Sequence, residues 1–374
     1  MTINGRMRIQ RTVYWDQQAG TRVPLDRFLG IHTQRYSPGI REITCRVSTT
    51  ANFRKTASDL ARVGQIVLSH EMIRQLVEAE GRTVVRQQTA GQLSPDWTTE
   101  DCRVEGQDST CVITGADGVM VPLVTEAEKA KRRALRCRRG PKARRRRKSI
   151  RRGSDNEYKE FKLVAFYDPS HEHQYAVGTS GNCNVLGRRM RRAARQIRLD
   201  KADLSYSVSD GAKWIRRQYN QQLPMLEVNI LDYYHLRDHV VKTSHTVFGE
   251  GTPEALAWRK EMMGVILESG PVELLERLGV LRRSLRAVGK RDALKSLITY
   301  IASRVEMLAY PEFIAADYDI GSGPTEAFCK TLTARLKGPG MRWDKSNAEG
   351  MMALASIDSS NLWDSYWAGQ RRIA

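Results

Sequence analysis

Three acidic residues far apart in the chain occupy positions where carboxylates could hold metal ions. Asp117 and Asp210 each end a predicted strand and are followed by glycine, and Glu326 lies early in a predicted helix. Mg²⁺ prefers carboxylate oxygens, so three carboxylates from separate elements could hold two ions roughly 4 Å apart. Such a pair activates an attacking oxygen and stabilises the leaving oxygen of a phosphoryl transfer. Either Asp-Gly pair alone more often marks a turn, so only the three acids together favour a metal-dependent site.

The Glu326 helix belongs to the segment 321–343, GSGPTEAFCKTLTARLKGPGMRW, which begins with residues typical of a helix start. Helical spacing predicts two stripes, a polar one of Glu326, Lys330, Thr333 and Lys337 and an apolar one of Phe328, Leu332 and Leu336. A carboxylate that shares its face with Lys330 and Lys337 could hold a cation while the lysines hold a phosphate backbone. A surface helix with ordinary i,i+4 charge pairs gives the same pattern.

The charge of the chain points to a polyanionic partner. The formal net charge is +19, and residues 129–152 hold fifteen Lys/Arg and no acid. Such a run cannot bury itself and is typical of a segment that gains order on nucleic acid or an anionic membrane, although a solubilising loop remains possible. The candidate DNA contacts at its centre are Arg144, Arg145, Arg146 and Arg147.

Cellular location follows from what the sequence lacks. No apolar run reaches the roughly 18 residues that a membrane span requires, and the N-terminus has no signal-peptide core. The six cysteines are scattered without a C-x-x-C spacing, which argues against a zinc ribbon or a disulfide framework and fits a reducing cytoplasm.

The N-terminal region, 1–82, is predicted to contain two helices around Gly64, within 51–82. Two short helices around a glycine resemble a helix-turn-helix, whose second helix would present Arg74 to DNA. Glu71 and Glu78 on the same face are unfavourable for DNA, so a structural helical hairpin is the alternative. Residues 83–107 are polar and are interpreted as a linker.

From residue 108 the pattern becomes α/β. Predicted strands at 108–118, 157–169, 173–180, 204–211 and 225–232 alternate with helices, which indicates a mixed sheet covered by helices. Residues 108–235 would form the first part of a catalytic domain, interrupted by the basic run 129–152. Residues 236–310 are helical throughout in pattern and predict an all-α insertion. Residues 311–374, with the Glu326 helix, would complete the domain.

Several of these blocks resemble one known family. The segments DGVMVPLV, SDGAKWI, LDYYHLRDHV and GSGPTEAFCKTLTARLKGPGMRW are similar to blocks of bacterial insertion-sequence transposases of the DDE type, especially the Kra-type family. The N-terminal sequence, including LSHEMIRQLVEAEGR, resembles the leader region of such proteins. The resemblance implies a ribonuclease-H-like catalytic domain with Asp117, Asp210 and Glu326 as its metal-binding triad. It also implies an α-helical insertion between the second and third acids.

Other residues have competing interpretations. Asp168 also ends a strand and is the rival of Asp117 for the first acid, but Pro169 follows it. Asp232 and His235 form a D-x-x-H at a strand-to-helix junction, similar to a motif near the active site of several DDE transposases with helical insertions. They could support the site, or Asp232 could simply cap the helix. His171 and His173 are interpreted as parts of a solvated turn.

Two aromatic positions stay open. Trp258 in the predicted insertion could stack on an unpaired base, but its apolar neighbours make a core position the plainer interpretation. Arg342 and Trp343 could grip DNA near the Glu326 helix, or could belong to a turn packed on the sheet.

The resulting expectation is a DNA transposase in the bacterial cytoplasm, associated with the nucleoid. It would bind the terminal inverted repeats of its element and target DNA, use Mg²⁺ (with Mn²⁺ able to substitute) for cleavage and strand transfer, and act as a homodimer or larger assembly. A nuclease of the same fold that cuts without joining, and a catalytically silent DNA-binding protein, are the alternatives.

Overall fold

The computed structural model describes residues 1–2, 8–18, 20–29, 36–137, 158–338 and 341–372. The strands of the described part are β1 (Tyr14–Asp16), β2 (Gly20–Arg22), β3 (Cys111–Pro122), β4 (Tyr158–Tyr167), β5 (Gln174–Thr179), β6 (Leu204–Ser209) and β7 (Asn229–Leu231). Its helices up to the insertion are α1 (Pro24–Phe28), α2 (Pro38–Thr50), α3 (Phe53–Val63), α4 (His70–Ala90), α5 (Glu126–Cys137), α6 (Cys183–Gln196) and α7 (Lys213–Gln222). The later helices are α8 (Tyr233–Phe248), α9 (Pro253–Glu268), α10 (Gly270–Ser284), α11 (Val288–Ala302), α12 (Tyr310–Ala315), α13 (Gly323–Lys337), α14 (Lys345–Ser359) and α15 (Trp363–Arg372).

The core is a five-stranded mixed sheet in the order β5-β4-β3-β6-β7. β4 runs antiparallel to both β3 and β5, whereas β6 runs parallel to β3 and β7 parallel to β6. The central strand β3 is buried over its first six residues, as its apolar sequence CVITGA requires. The predicted α/β class with a mixed sheet is confirmed.

Strand β3 is longer than the sequence predicts. Asp117 and Gly118 do not end it but lie in its interior, because β3 pairs with β4 from Ile113 to Pro122. The pairing of β3 with β6 stops earlier, at Gly115. Asp117 therefore lies where β3 has lost one of its two neighbours, which leaves its side chain partly accessible.

Helices cover both faces of this sheet. Side chains alternate along a strand, so Asp117 and its partner Leu163 face one side, and Gly118 and its partner Lys162 face the other. On the first side α13 packs against β3 and β4, and α14 against β5. On the second side α6 packs against β4 and β5 and against α7, and the Lys162 ammonium lies over the ring of Trp214 in α7.

Between β7 and α13 the chain is helical, from α8 to α12. This matches the all-α segment predicted for 236–310. Trp258 is only 9% exposed and its ring lies 5.6 Å from that of Phe248. It belongs to the core of these helices, so the possible role in base stacking is contradicted.

The N-terminal helix pair is present, but the predicted boundary at residue 82 falls inside α4, which ends at Gly91 in a left-handed conformation. The first residues of the predicted linker are thus helical. α4 crosses α14 where Gly81 faces Gly350, and a Cβ on Gly81 would lie 2.8 Å from the Gly350 carbonyl carbon. The backbones touch there, so these helices pack into the body of the protein, which favours the helical hairpin over a helix-turn-helix.

Two buried charged groups tie the N-terminal helices to the C-terminal ones. Glu80 of α4 forms an ion pair with Arg41 at 3.1 Å and accepts a hydrogen bond from the Tyr366 hydroxyl. Arg335 of α13 is 6% exposed, lies between the rings of Phe53 and Trp343, and donates to the Ser48 carbonyl at 3.2 Å. Burial lowers the pKa of Arg335 to about 10.

No helix within the described ranges is both long and apolar enough to span a membrane.

The helix crossing at Gly81 can be tested by stability. A methyl group there would push two backbones apart, so we expect Gly81→Ala to lower the free energy of unfolding by about 1–3 kcal/mol. Gly264 in α9 has open space where its Cβ would be, so Gly264→Ala should raise it by about 0.5–1 kcal/mol through helix propensity. Urea denaturation measures both, and equal effects of the two changes would contradict the proposed contact.

Candidate functional site

Asp117 and Asp210 are brought together by the parallel pairing of β3 and β6. The last matched pair is Gly115 with Val208, and two residues further along each chain are Asp117 and Asp210. Asp117 lies within β3 and Asp210 directly after the end of β6, so the parallel register brings both to the same edge of the sheet. Burial raises the pKa of Asp117, and the neighbouring charge of Asp210 raises it further.

Two donors of the protein itself hold the carboxylate of Asp117. The Gly118 backbone N–H donates to Oδ1 at 2.6 Å, and the Cys329 thiol donates to Oδ2 at 3.3 Å. Both bonds lower the pKa of Asp117 and so oppose the effect of burial. Burial and the charge of Asp117 raise the pKa of Cys329, which keeps the thiol protonated and able to donate.

The helix α13 approaches β3 very closely, because Gly115 has no side chain. A Cβ at Gly115 would lie 1.6 Å from Thr325 Oγ1. Glu326 follows Thr325 directly, and Cys329, which contacts Asp117, lies one turn further along α13. The charge of Glu326 also contributes to the raised pKa of Cys329, so Glu326 and Asp117 both lie near this thiol.

Glu326 itself is turned towards solvent. Its side chain is 48% exposed, and Oε2 lies 3.6 Å from the ammonium of Lys330. Over the part of the chain that the structure describes, no three His, Cys, Asp or Glu side chains lie close enough together to hold a metal ion. The structure thus brings Asp117 near Asp210, whereas the carboxylate of Glu326, on the first turn of α13, points to solvent.

Asp232 joins the start of the helical insertion to the start of α13. It is fully buried, and Oδ1 accepts the His235 N–H at 2.8 Å as the N-cap of α8. Oδ2 accepts the N–H of Ser322, the residue before α13, at 2.5 Å. Asp232 therefore fixes the position of the helix that carries Glu326, which agrees with the capping interpretation.

Two residues beside the acids were not predicted from the sequence. Arg304 packs against Gly211, the glycine after Asp210, and donates to its carbonyl at 3.2 Å. Cys329 contacts Asp117. Neither has a local sequence signal, because each is placed by contacts between distant segments.

His235, which the sequence did suggest, is exposed, and its charge lowers the pKa of Asp117, so it too lies close to this carboxylate.

The rival acid Asp168 has a different environment. It is 2% exposed and accepts hydrogen bonds from the Ser170 hydroxyl at 2.5 Å and the His173 N–H at 2.9 Å. It therefore stabilises the turn between β4 and β5. His173 is partly buried there against Trp97, so the interpretation of a wholly solvated turn was wrong for this residue.

The residues predicted to contact DNA differ in their exposure and in their partners. Lys330 and Lys337 are exposed on α13, whereas Thr333 of the same predicted stripe is buried. Arg74 pairs with Glu71 at 2.5 Å and with Glu78 at 2.6 Å, the two glutamates that the sequence places on its face.

Arg342 is half-buried and its neighbour Trp343 is buried. The Val124 N–H donates a hydrogen bond to the Trp343 carbonyl at 2.9 Å, so this turn is packed beside the end of β3. The basic run continues from α5 beyond the described residues. The candidates that lie outside them are Arg144, Arg145, Arg146 and Arg147.

The chain was compared with protein families, with curated proteins and with solved structures. The model of an uncharacterised protein family, UPF0236, matches residues 1–168. No curated protein matches the chain. A solved structure, the Drosophila P element transposase strand transfer complex, is similar over 86% of this chain and 91% of that chain, with 11% sequence identity and a TM-score of 0.35.

The double role of Asp232 is testable with an isosteric change. Asparagine has one acceptor oxygen, so in Asp232→Asn either the His235 or the Ser322 N–H faces an amide group. We expect a loss of about 1–3 kcal/mol in the free energy of unfolding and faster amide exchange across 320–326. Asp238→Asn, on the exposed side of the same helix, should change stability by less than about 0.5 kcal/mol. Unchanged exchange at 320–326 would contradict the role of Asp232 in positioning α13.

Proposed function

We propose that this chain is a DNA transposase of the DDE type with a ribonuclease-H-like catalytic domain. The observation that carries the proposal is the proximity of Asp117, in β3, to Asp210, directly after the parallel neighbour β6, beside the helix that carries Glu326. The mixed sheet and the helical segment between the second and third acids are what the sequence resemblance implies.

The donor set fits a hard divalent cation. Asp117, Asp210 and Glu326 offer only carboxylate oxygens, and the mutual repulsion of the first two is what a bound cation offsets. Asp117 and Asp210 would hold Mg²⁺, or Mn²⁺ in its place, and the exposed carboxylate of Glu326 would turn towards them to complete the set. The ion would supply Lewis acidity for phosphodiester cleavage.

The protein's own groups would orient the reaction. Gly118 and Cys329 hold the carboxylate of Asp117, and Asp232 holds the start of α13. Lys330 and Lys337, exposed beyond Glu326 on α13, would bind phosphates of the DNA next to the scissile bond.

The chemistry would be two phosphoryl transfers at one site. Water attacks a phosphodiester at the element end, the P–O bond to the 3′ oxygen breaks, and a free 3′-hydroxyl results. That hydroxyl then attacks a phosphodiester of the target DNA, and joining occurs as a target 3′ oxygen leaves. Neither step needs a covalent bond to the protein. The inverted-repeat ends and the target are the DNA partners, and because two ends must be joined, the active form would be at least a dimer.

The three acids are tested by isosteric neutralisation. Asp117→Asn, Asp210→Asn and Glu326→Gln should each lower the rate of Mg²⁺-dependent cleavage of element-end DNA by more than about 100-fold, since each removes a carboxylate from the ion. Binding of the same DNA should be equal or tighter, because negative charge is lost. Asp200→Asn, an exposed acid at the far end of the sheet, is the control. A variant that still cuts at the normal rate removes its residue from the triad.

Joining separates a transposase from a nuclease. With precleaved element ends, target DNA and Mg²⁺, we expect the wild-type protein to form joined product, and EDTA to abolish it. Cleavage of uncut ends without joining would assign the chain as a nuclease of the same fold. Absence of both reactions with Mg²⁺ and Mn²⁺ would instead indicate a DNA-binding protein without catalysis.

A further inference from the structure

The helix α6 presents a stripe of free arginines. It contains five arginines and no acid. Three of them, Arg188, Arg191 and Arg195, are exposed and lie at i, i+3 and i+7, on one face. None of the three side chains has an ion pair or hydrogen bond within the described residues. Beyond them Arg198 pairs with Glu100 at 2.7 Å, which ends the free stripe.

The rest of α6 is firmly held in the protein. Its apolar side packs on the sheet through Leu186, Met190 and Ala193, which are at most 1% exposed. Arg189 pairs with Glu349 at 2.9 Å, and Arg192 donates to the carbonyl of Thr89 at the end of α4. The free stripe is therefore displayed on a rigid support, which limits the entropy lost when it binds a partner.

The neighbouring helix α7, on the same side of the sheet as α6, extends this positive surface to the sheet edge at which Asp210 lies. α7 begins three residues after Asp210 and exposes Lys213 and Arg217. The Arg217 guanidinium contacts Cys183 Sγ at 3.0 Å, at the start of α6. Gln218 of α7 donates to Asn184 of α6 at 3.2 Å, so the two helices are joined side by side.

We propose that this α6–α7 surface binds the phosphate backbone of a DNA duplex that leads away from the acids. Its members are Lys213, Arg217, Arg188, Arg191 and Arg195. The choice of DNA as partner rests on the proposed function. From Arg188 to Arg195 the stripe is about 10 Å long, enough for about three phosphates of one strand. Arginine binds phosphate through two parallel N–H donors.

Other anionic partners fit less well. A membrane-binding helix inserts an exposed apolar face, whereas the apolar residues of α6 are buried against the sheet. A protein interface centres on buried aromatic or aliphatic anchors. The large exposed hydrophobic side chains of the described chain include none from α6 or α7.

The experiment compares two triple variants of the full-length chain. Arg188→Gln/Arg191→Gln/Arg195→Gln removes three free charges, and Lys55→Gln/Arg103→Gln/Arg277→Gln removes three exposed charges already paired with Asp59, Asp108 and Glu273. Both variants lose the same net charge and keep residues 129–152. Duplex DNA binding is measured by fluorescence anisotropy over a series of salt concentrations.

We expect the negative slope of log K against log salt to become shallower by about 2–3 in the α6 variant. The affinity of this variant for DNA should fall at least about tenfold at ~150 mM salt. The control should stay within about threefold of wild type. A triple Arg→Lys variant at the α6 positions keeps the charge and should restore the slope, which separates lost contacts from lost folding.

Other outcomes overturn the inference in different ways. Equal slopes for the α6 variant and the control, with normal binding by the wild type, would refute the α6–α7 surface and leave the proposed function standing. No duplex binding by the wild type would refute both. If polyglutamate competes as well as duplex DNA at equal charge concentration, and the α6 variant loses both, the surface serves an acidic protein instead.

Discussion

The close contact between α13 and β3 is the constraint on which the candidate site depends. Because Gly115 lacks a side chain, Thr325 takes the space that a Cβ would fill. This sets the height and rotation of α13 above the strand, and therefore where Glu326 and Cys329 lie relative to Asp117. The register of β3 with β6 independently fixes Asp210. Two backbone relations, one between strands and one between strand and helix, thus position all three acids.

The helical insertion is closed at its base by a single buried carboxylate. Asp232 accepts one N–H from the first turn of α8 and another from the residue that precedes α13, and the Tyr233 N–H bonds to Ile320 beside it. The first and last residues of the helical insertion are therefore held together at Asp232. Because the entropic cost of closing a loop grows slowly with its length, the helices between can be numerous without disturbing the site. The insertion packs Trp258 and Leu274 in a hydrophobic core that is continuous with that of the sheet.

Sequence patterns predicted the helices and strands of this fold better than they predicted the contacts between them. The apolar stripe of Phe328, Leu332 and Leu336, the mixed sheet and the helical insertion follow from periodicity, which local sequence encodes. The continuation of β3 through Asp117-Gly118 does not, because Asp-Gly is a turn signal that pairing with β4 overrides. Thr333 is buried although it belongs to the stripe expected to be polar. Arg335 is buried through its contacts with Ser48, Phe53 and Trp343, which no spacing within α13 reveals.

The acids themselves show the same limit. Their types and their Asp-Gly context suggested metal chemistry, but the choice of Asp117 over Asp168 rested only on Pro169, which follows Asp168, and on the order of the strands. The structure supplies the physical difference between these two aspartates. Asp168 is enclosed by donors from its own turn, whereas Asp117 lies at the point where β6 diverges from β3. A carboxylate at such a divergence keeps one side open to a ligand.

Opposite charges must coexist in an enzyme that holds both a cation and a phosphate backbone. The described part of the chain separates them by depth. Asp117 and Asp210 lie half-buried at the sheet, whereas Lys330 and Lys337 are exposed on α13 and Lys213 is exposed on α7, on the other side of the sheet. At the sheet, burial and the repulsion between the aspartates disfavour two full negative charges, and the bonds from Gly118 and Cys329 offset only part of that cost. Under the proposed function, a divalent cation would neutralise the remainder, and the exposed lysines would bind the phosphates of the DNA.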